Sequence, residues 1–160
     1  MTTASENRKK NARFRSRSEH MLDDKGRLNI PSRFMDILKN SFANEELVIT
    51  NWKTCLKVYP SSQWETVENT LIAKGKSEPG MESLYRYLIS GVCECMPDKQ
   101  GRILLPQSLR NDFLSSREII LNGMLDHFEI WDKGAWDAER RLARENFSDY
   151  APSLARIGIL

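Results

Sequence analysis

The chain has few of the residues from which common catalytic and metal sites are built. Its 160 residues include three cysteines and two histidines, and its eight glycines are scattered and do not form a phosphate-binding loop. Cys93 and Cys95 have no second cysteine pair and no histidine nearby, whereas a structural zinc site needs four ligands. His20 and His127 have no nucleophile at a motif spacing. We therefore predict that the chain is not an enzyme and uses no metal, cofactor or small-molecule substrate.

Long apolar runs are also absent. No stretch approaches the 18 or so apolar residues of a membrane-spanning helix, so no membrane partner is expected. The first dozen residues are polar and basic, without the apolar core of a signal peptide. The composition, 40% hydrophobic and 29% charged, is typical of a globular protein. Three cysteines cannot all pair within one chain, which favours a cytoplasmic protein with reduced thiols.

Positive charge is concentrated at the start of the chain. Residues 1–33 contain nine lysines and arginines against four acidic residues, whereas the remaining 127 residues contain 15 basic and 18 acidic groups. Such a local excess predicts a surface that attracts a polyanion. Part of this charge, at Arg8 to Lys10, is interpreted as a solvated tail.

The sequence contains two copies of one pattern. The stretch DDKGRLNIP at 23–31 returns 75 residues later as DKQGRILLP at 98–106. A second block, LVITNWKTCLKVYPSSQW at 47–64, is matched 72 residues later by IILNGMLDHFEIWDKGAW at 119–136. Two collinear matches indicate a tandem duplication, and two copies favour one pseudo-symmetric body over a solenoid.

Each copy is predicted to contain the same elements. An aspartate at the first position and a glycine at the fourth favour a type I turn, and alternating apolar residues after it predict a short strand. Pro31 and Pro106 stand where a helix begins. A strand pair and a second helix complete each copy. Because strands this short need both copies to close their sheet, the predicted fold is α+β, with peripheral helices around a small β-barrel.

Asp23, Gly26, Asp98 and Gly101 are interpreted as residues that structure the two turns. An aspartate caps turn N–H groups, and an arginine four residues later can return to it. An exposed ion pair contributes only about 0–1 kcal/mol, so stability alone gives little reason for an arginine in both turns. Arginine can pair with a phosphate or with the O6/N7 edge of guanine. The two turns are therefore predicted to face double-stranded DNA.

The order of these motifs resembles the MraZ family of bacterial transcriptional regulators, which is related to the AbrB-type (SpoVT-AbrB) swapped-hairpin DNA-binding proteins. The resemblance runs from Phe14 to about Trp136 and includes both D-x-x-x-R motifs and EIWD at 129–132. It implies two intertwined swapped-hairpin units in one pseudo-two-fold β-barrel, assembled as a homo-oligomeric ring. It also implies sequence-specific binding to promoter repeats upstream of the protein's own division and cell-wall gene cluster, and hence association with the nucleoid.

The resemblance also suggests a division of the chain and a set of DNA-contacting residues. The expected segments are a basic, disordered extension at 1–13, swapped-hairpin repeats at 17–64 and 93–136, a helical linker at 65–92 and a C-terminal helix or tail at 137–160. By position, Arg15 matches the arginine of the F-R-G opening of the family, with Ser16 in place of the glycine. The predicted DNA-binding residues are Arg15, Arg17, Lys25, Arg27, Arg33, Lys99 and Arg102.

Parts of the sequence would also suit two functions other than duplex binding. The main alternative is an oligomeric scaffold or protein-binding ring without sequence-specific DNA binding, for which RIGIL at 156–160 is the candidate apolar face. Four tryptophans would suit a platform for single-stranded nucleic acid. However, Trp64 and Trp136 occupy matched helix positions and are interpreted as core residues.

The turn assignment predicts that Gly26→Val destabilises the protein. Glycine tolerates the positive φ expected at this turn position, which a β-branched side chain resists. Thermal unfolding should give a lower melting temperature for the variant. An unchanged melting temperature would show that the turn is assigned wrongly.

Overall fold

The computed structural model describes residues 3, 4, 6 and 12–160, and in this part of the chain the predicted α+β class is confirmed. The strands are β1 Arg17–Met21, β2 Arg27–Asn29, β3 Leu47–Asn51, β4 Leu56–Pro60, β5 Cys93–Cys95, β6 Arg102–Leu104, β7 Glu118–Gly123 and β8 Phe128–Asp132. The helices are α1 Ser32–Ser41, α2 Ser61–Lys74, α3 Glu82–Ser90, α4 Gln107–Phe113, α5 Lys133–Glu145 and α6 Ala151–Arg156. The predicted extension at 1–13 lies largely outside the described residues.

A proline sets the start of the first helix in each copy. Pro31 and Pro106 precede α1 and α4 with φ of −55° and −57°. The restricted φ of proline suits the entry to a helix, and its missing N–H would have no helical partner there. Each return strand therefore runs directly into a helix, which buries Phe34 in the first copy and Leu109 in the second.

The strands of the two copies are interleaved. They form a six-stranded antiparallel sheet in the order β1-β7-β8-β4-β3-β5 and a separate two-stranded ribbon of β2 and β6. The two strands that flank each turn therefore belong to different sheets. Each outer strand of the large sheet pairs with a strand of the other copy, β1 with β7 and β5 with β3.

The hydrogen-bond register follows the duplication residue by residue. Glu19 of β1 lies opposite Ile120 of β7, and its counterpart Glu94 of β5 lies opposite Val48 of β3. Because a shift of one residue would turn every side chain to the other face of the sheet, matched registers place matched side chains in the core. The two copies are thus related by a pseudo-two-fold axis between β4 and β8.

The predicted closed β-barrel is wrong for the described strands. Their pairing gives an open sheet, in which the edge strands β1 and β5 do not pair with each other, and a ribbon bonded only between β2 and β6. Neither ribbon strand pairs with an edge strand of the large sheet, so the ribbon does not close it. The ribbon instead packs onto one face of that sheet, because Leu28 and Ile103 belong to the common core.

One apolar core joins both copies. It contains the inward residues of the ribbon, of α1 and α4, and of one face of the large sheet. Phe14, which precedes β1, contributes a ring whose centroid lies 5.4 Å from that of Phe34 and 5.5 Å from that of Phe128. Such aromatic pairs stabilise a core beyond the area that they bury. Since each copy supplies part of this core, the two copies fold as one unit.

The other face of the large sheet is covered by α2 and α5. Trp64 of α2 packs against Val48 and Tyr59, and Trp136 of α5 packs edge-on against Trp131, with 5.6 Å between ring centroids. The interpretation of the two matched tryptophans as core residues holds for Trp64, which is buried, whereas Trp136 is only partly buried at the edge of its cluster. Among the described residues, no helix has the length and apolar character needed to cross a membrane.

The orientation of the ribbon predicts that two neighbouring residues differ greatly in their contribution to the free energy of unfolding. Ile103→Ala should lower the free energy of unfolding by about 2–5 kcal/mol, because it leaves a cavity in the shared core. Leu104→Ala, at a residue that is 56% exposed, should cost no more than about 0.5 kcal/mol. Urea unfolding followed by tryptophan fluorescence measures both values. Equal losses would contradict the packing of the ribbon on the sheet.

Candidate nucleic-acid interface

The first turn is organised by one carboxylate. Asp23 Oδ1 accepts hydrogen bonds from the backbone N–H groups of Lys25 and Arg27, at 2.9 and 2.8 Å. Asp23 Oδ2 accepts a third bond from Arg27 Nε at 2.5 Å. The N–H of Gly26 donates to the Asp23 carbonyl at 3.0 Å and closes the turn. A single aspartate therefore holds both the backbone of the turn and the arginine that follows it.

The second turn repeats this arrangement. Asp98 Oδ1 accepts from the N–H groups of Gln100 and Arg102, both at 2.9 Å, and Asp98 Oδ2 accepts from Arg102 Nε at 2.8 Å. The N–H of Gly101 donates to the Asp98 carbonyl at 3.0 Å. The two turns thus have one hydrogen-bond pattern although their second and third residues differ.

Each turn glycine connects the two copies. Gly26 and Gly101 have φ of +81° and +76°, a region that favours glycine. Their carbonyl groups accept hydrogen bonds from Leu105 at 3.0 Å and from Ile30 at 2.9 Å, so each turn is bonded to the return strand of the other copy. A Cβ on Gly26 would lie 2.6 Å from the guanidinium carbon of Arg110, which would add a steric clash to the effect of Gly26→Val.

The turn carboxylates are stabilised in their charged form. The backbone N–H of Arg27 lowers the pKa of Asp23 from its ordinary 3.8 to about 2, and the guanidinium of Arg27 and the N–H of Lys25 act in the same direction. The pKa of Asp98 is lowered in the same way, chiefly by the backbone N–H of Arg102. Both carboxylates are charged at neutral pH, and each offsets part of the charge of its arginine.

The motif arginines lie at the base of each turn, on the outer face of the ribbon. Side chains alternate along a strand, and the middle residue of each ribbon strand faces the core. Arg27 and Arg102 therefore share the opposite face, as diagonal neighbours about 7–8 Å apart. Their side chains are 32% and 25% exposed. Among the described residues, none forms a hydrogen bond with the terminal guanidinium nitrogens of either arginine.

Two further predicted residues border this face, because Lys25 and Lys99 occupy exposed positions within the two turns. Arg15 is also exposed, but it lies just before β1, at the end of that strand away from the turn. Flexible cations at the margin of a surface suit contacts with phosphates, which need charge more than a fixed geometry. The structure therefore brings the turn lysines next to the motif arginines.

Arg17 and Arg33 have partners within the protein. The guanidinium carbon of Arg17 lies 5.9 Å from the centre of the Trp136 ring, and Arg33 donates a hydrogen bond to Ser16 Oγ. Ser16 has φ of +72°, so the backbone keeps a left-handed conformation where the family motif has glycine. The Ser16 carbonyl also accepts from Gly123 N–H at 2.8 Å. Serine at this position therefore fixes the orientation of Arg33.

Two arginines at the first turn were missed in the sequence. Arg110 covers Gly26, and its Nε donates to the Leu105 carbonyl at 3.1 Å. Arg117 forms an ion pair with Asp24 at 2.5 Å. Both arginines come from the second copy, and nothing in the local pattern connects them with residues 23–27. The signal that could have found them is the duplication, since a two-copy body places each turn beside the other copy.

The second turn has different neighbours. The duplication places Met35 and Glu45 where the first turn has Arg110 and Arg117. A Cβ on Gly101 would lie 3.5 Å from Met35 Cγ, an ordinary contact. A cavity of about 590 Å³ lies between the second turn and α1. The first turn is thus more basic and more closely covered than the second.

Metal ligands do not cluster in the part of the chain that the structure describes. No group of three or more His, Cys, Asp or Glu side chains there could hold a metal ion. Cys93 and Cys95 are half-buried and pack against the common core. Burial raises the pKa of Cys95 to about 12, so its thiol stays protonated at neutral pH.

Both copies of the duplicated sequence match one family model, and similar proteins are named as transcriptional regulators. The family model described as "MraZ protein, putative antitoxin-like" matches residues 14–86 and 88–155, which separates the two copies. Proteins called transcriptional regulator MraZ are similar over 91% of this chain. The relative from Syntrophobacter fumaroxidans is 39% identical with 97% of its length covered, and those from Desulforapulum autotrophicum and Pediococcus pentosaceus are 37% and 36% identical with 99% covered.

The fold and these relatives define the class of the protein, a duplicated α+β protein whose relatives are named as transcriptional regulators and not as enzymes. The chain belongs to the MraZ family. The resemblance inferred from the sequence is therefore confirmed, and the names of the relatives support a regulatory role.

The charged hydrogen bond between Asp23 and Arg27 predicts that Asp23→Asn lowers the melting temperature by an amount that depends on pH. Because the pKa of Asp23 is lower in the folded state, its carboxylate stabilises the fold above about pH 4, and this stabilisation is lost as the pH falls through about 2. Asparagine keeps an oxygen for the backbone N–H groups but loses the charged bond to Arg27. The variant should melt below the wild type at neutral pH, with a difference that shrinks below pH 4.

Asp112→Asn is the matched control, because Asp112 is an exposed carboxylate on α4. Its melting temperature should follow that of the wild type at every pH. A deficit of Asp23→Asn that is the same at neutral and at acid pH would contradict the role of the charged carboxylate.

Proposed function

We propose that this protein is a transcriptional regulator that binds double-stranded DNA sequence-specifically, on repeats upstream of its own division and cell-wall gene cluster. The observation that carries the proposal is the outer face of the β2–β6 ribbon. Arg27 and Arg102 lie there side by side, related by the pseudo-two-fold axis, and each is held at Nε by its own aspartate. The terminal guanidinium nitrogens of both arginines have no hydrogen-bond partner among the described residues, which supports a role for them in binding a ligand.

The dimensions of the ribbon suit the major groove of duplex DNA. The groove is about 12 Å wide and admits a two-stranded β-ribbon, whose strands lie about 4.8 Å apart. An arginine held at Nε still has terminal donors for guanine O6 and N7. Since the aspartate restricts the rotation of the side chain, less entropy is lost when the arginine meets a base. The ribbon arginines are therefore proposed to read bases.

The surrounding cations are proposed to hold the phosphates. Lys25 and Lys99 lie in the turns on either side of the ribbon, and Arg15, Arg17 and Arg33 lie near the start of β1 and on α1. Phosphate contacts fix the position of a protein on DNA and make binding depend on salt.

Charge on one protomer is modest, so we also propose a homo-oligomeric ring of swapped-hairpin protomers. Several copies on successive repeats would raise the avidity roughly 10²–10⁴-fold.

The scaffold alternative has one observation in its favour. The C-terminal segment exposes several large apolar side chains, with relative exposures of 66–74% for Ile157, Ile159 and Leu160 and 68% for Phe147. Contiguous exposed apolar residues are typical of protein-binding surfaces. They lie on a different segment from the arginine-bearing ribbon, so a protein-binding surface there would coexist with DNA binding by the ribbon.

The proposal predicts that Arg27→Ala and Arg102→Ala each weaken specific duplex binding. A paired arginine–guanine contact contributes about 1–3 kcal/mol, which corresponds to a loss of about 5- to 150-fold in affinity. Fluorescence anisotropy with the DNA upstream of the gene, and with a scrambled duplex, measures this loss across a salt series. Melting temperature and oligomer size establish that each variant is folded and assembled.

Arg86→Ala is the matched control, because Arg86 pairs with Glu82 at the same four-residue spacing but on α3. Its affinity for the upstream DNA should equal that of the wild type. Near-native affinity of the Arg27/Arg102 double variant would refute the assignment of the ribbon. A soluble wild-type oligomer that retains neither duplex would favour the scaffold.

A further inference from the structure

We propose that Asn29 and Leu104 are specificity-determining residues that make the two halves of the ribbon read different bases. The two residues are counterparts in the duplication, 75 positions apart. Each ends its ribbon strand, β2 or β6. The inference rests on the proposed binding of duplex DNA and adds to it a direction along the DNA.

The ladder gives each arginine a different neighbour. Arg27 lies directly opposite Leu104, and Arg102 lies directly opposite Asn29. Residues opposite one another in an antiparallel ladder project from the same face, with Cβ atoms about 4.5–5.5 Å apart. The outer face of the ribbon thus consists of an arginine–leucine pair and an arginine–asparagine pair. It is symmetric in its arginines and asymmetric in the other two residues.

Packing and hydrogen bonding within the protein do not explain why asparagine and leucine occupy these two positions. Leu104 is 56% exposed although it lies beside the fully buried Ile103. Asn29 is exposed, and its side-chain amide has no hydrogen-bond partner among the described residues. Asparagine is also depleted in strands, so local propensity does not favour it here. Both side chains are instead available to a ligand on the face that carries the arginines.

The chemistry of the two side chains distinguishes an adenine from a thymine. The amide of asparagine matches the N6/N7 edge of adenine with two hydrogen bonds, whereas an apolar side chain contacts the C5-methyl group of thymine. Base pairs are stacked about 3.4 Å apart, so a neighbour about 5 Å from an arginine reaches an adjacent base pair. The half read by Arg102 and Asn29 should therefore contain guanine and adenine, and the half read by Arg27 and Leu104 should contain guanine and a thymine.

An asymmetric face fixes the orientation of the protein on the duplex. If both halves carried the same residues, the pseudo-two-fold axis would favour a palindromic site. With asparagine in one half and leucine in the other, the two orientations place unlike side chains against a given base. The preferred site is then non-palindromic, and every protomer on a series of repeats would face the same way.

The test is selection of binding sites from a library of DNA duplexes, in which a randomised segment lies between two constant primer sites. Four proteins are compared: the wild type, Asn29→Leu, Leu104→Asn and the double exchange. The wild type should enrich a non-palindromic site. Leu104→Asn should gain a preference for adenine in the second half, so that its site becomes palindromic. Asn29→Leu should lose its adenine preference by about tenfold or more. The double exchange should again enrich the wild-type, non-palindromic site, because it only moves the asparagine and the leucine to opposite halves of the ribbon.

Two controls separate this inference from loss of folding and from the proposed function. Ile72→Asn changes an aliphatic residue that is 72% exposed on α2, away from the ribbon, and should enrich the wild-type site. Melting temperatures show which variants are folded. If all four proteins enrich one unchanged site, the inference is overturned while DNA binding stands. If the wild type enriches no site, both the proposed function and this inference fail.

Discussion

The pairing of β2 with β6 across the pseudo-two-fold axis is the constraint on which the rest of the structure depends. It places Leu28 opposite Ile103 on the axis, and both are buried in the core that the two copies share. The same pairing turns Arg27 and Arg102 outward on one surface. Because the strands have only three residues, neither copy could present such a surface by itself. Stability and the candidate interface thus come from the same six residues.

Each turn aspartate stabilises its turn but reduces the net positive charge beside its arginine. Each accepts two backbone N–H groups and an arginine Nε, which fixes the turn and the direction of the guanidinium. The negative charge also offsets part of the attraction between that arginine and a polyanion. An arrangement of this kind favours recognition by geometry over attraction by charge. The exposed turn lysines, which have no such partner among the described residues, are better placed to supply the attraction.

The two copies have diverged where they meet the ribbon and its turns. The first turn is enclosed by Arg110 and by the ion pair between Arg117 and Asp24, whereas the second turn lies against Met35 and a cavity. The hydrogen bonds inside the turns have not diverged. Duplication followed by such changes retains a common framework and gives its two halves separate surfaces. A homodimer of identical halves could not do this, since every change would appear twice.

The sequence by itself determined the local structure and the family. Aspartate and glycine at fixed turn positions, proline before α1 and α4, and the repeat of these motifs were sufficient, because turns and helix starts depend on neighbouring residues. Alternation of apolar residues also predicted the short strand that follows each turn. Only the tertiary structure decided that the strands flanking each turn enter different sheets, that the large sheet stays open and does not close as a barrel, and that Arg110 and Arg117 reach the first turn. The physical reason is that periodicity fixes which face of a strand is buried, whereas the choice of partner strand depends on contacts between residues far apart in the chain.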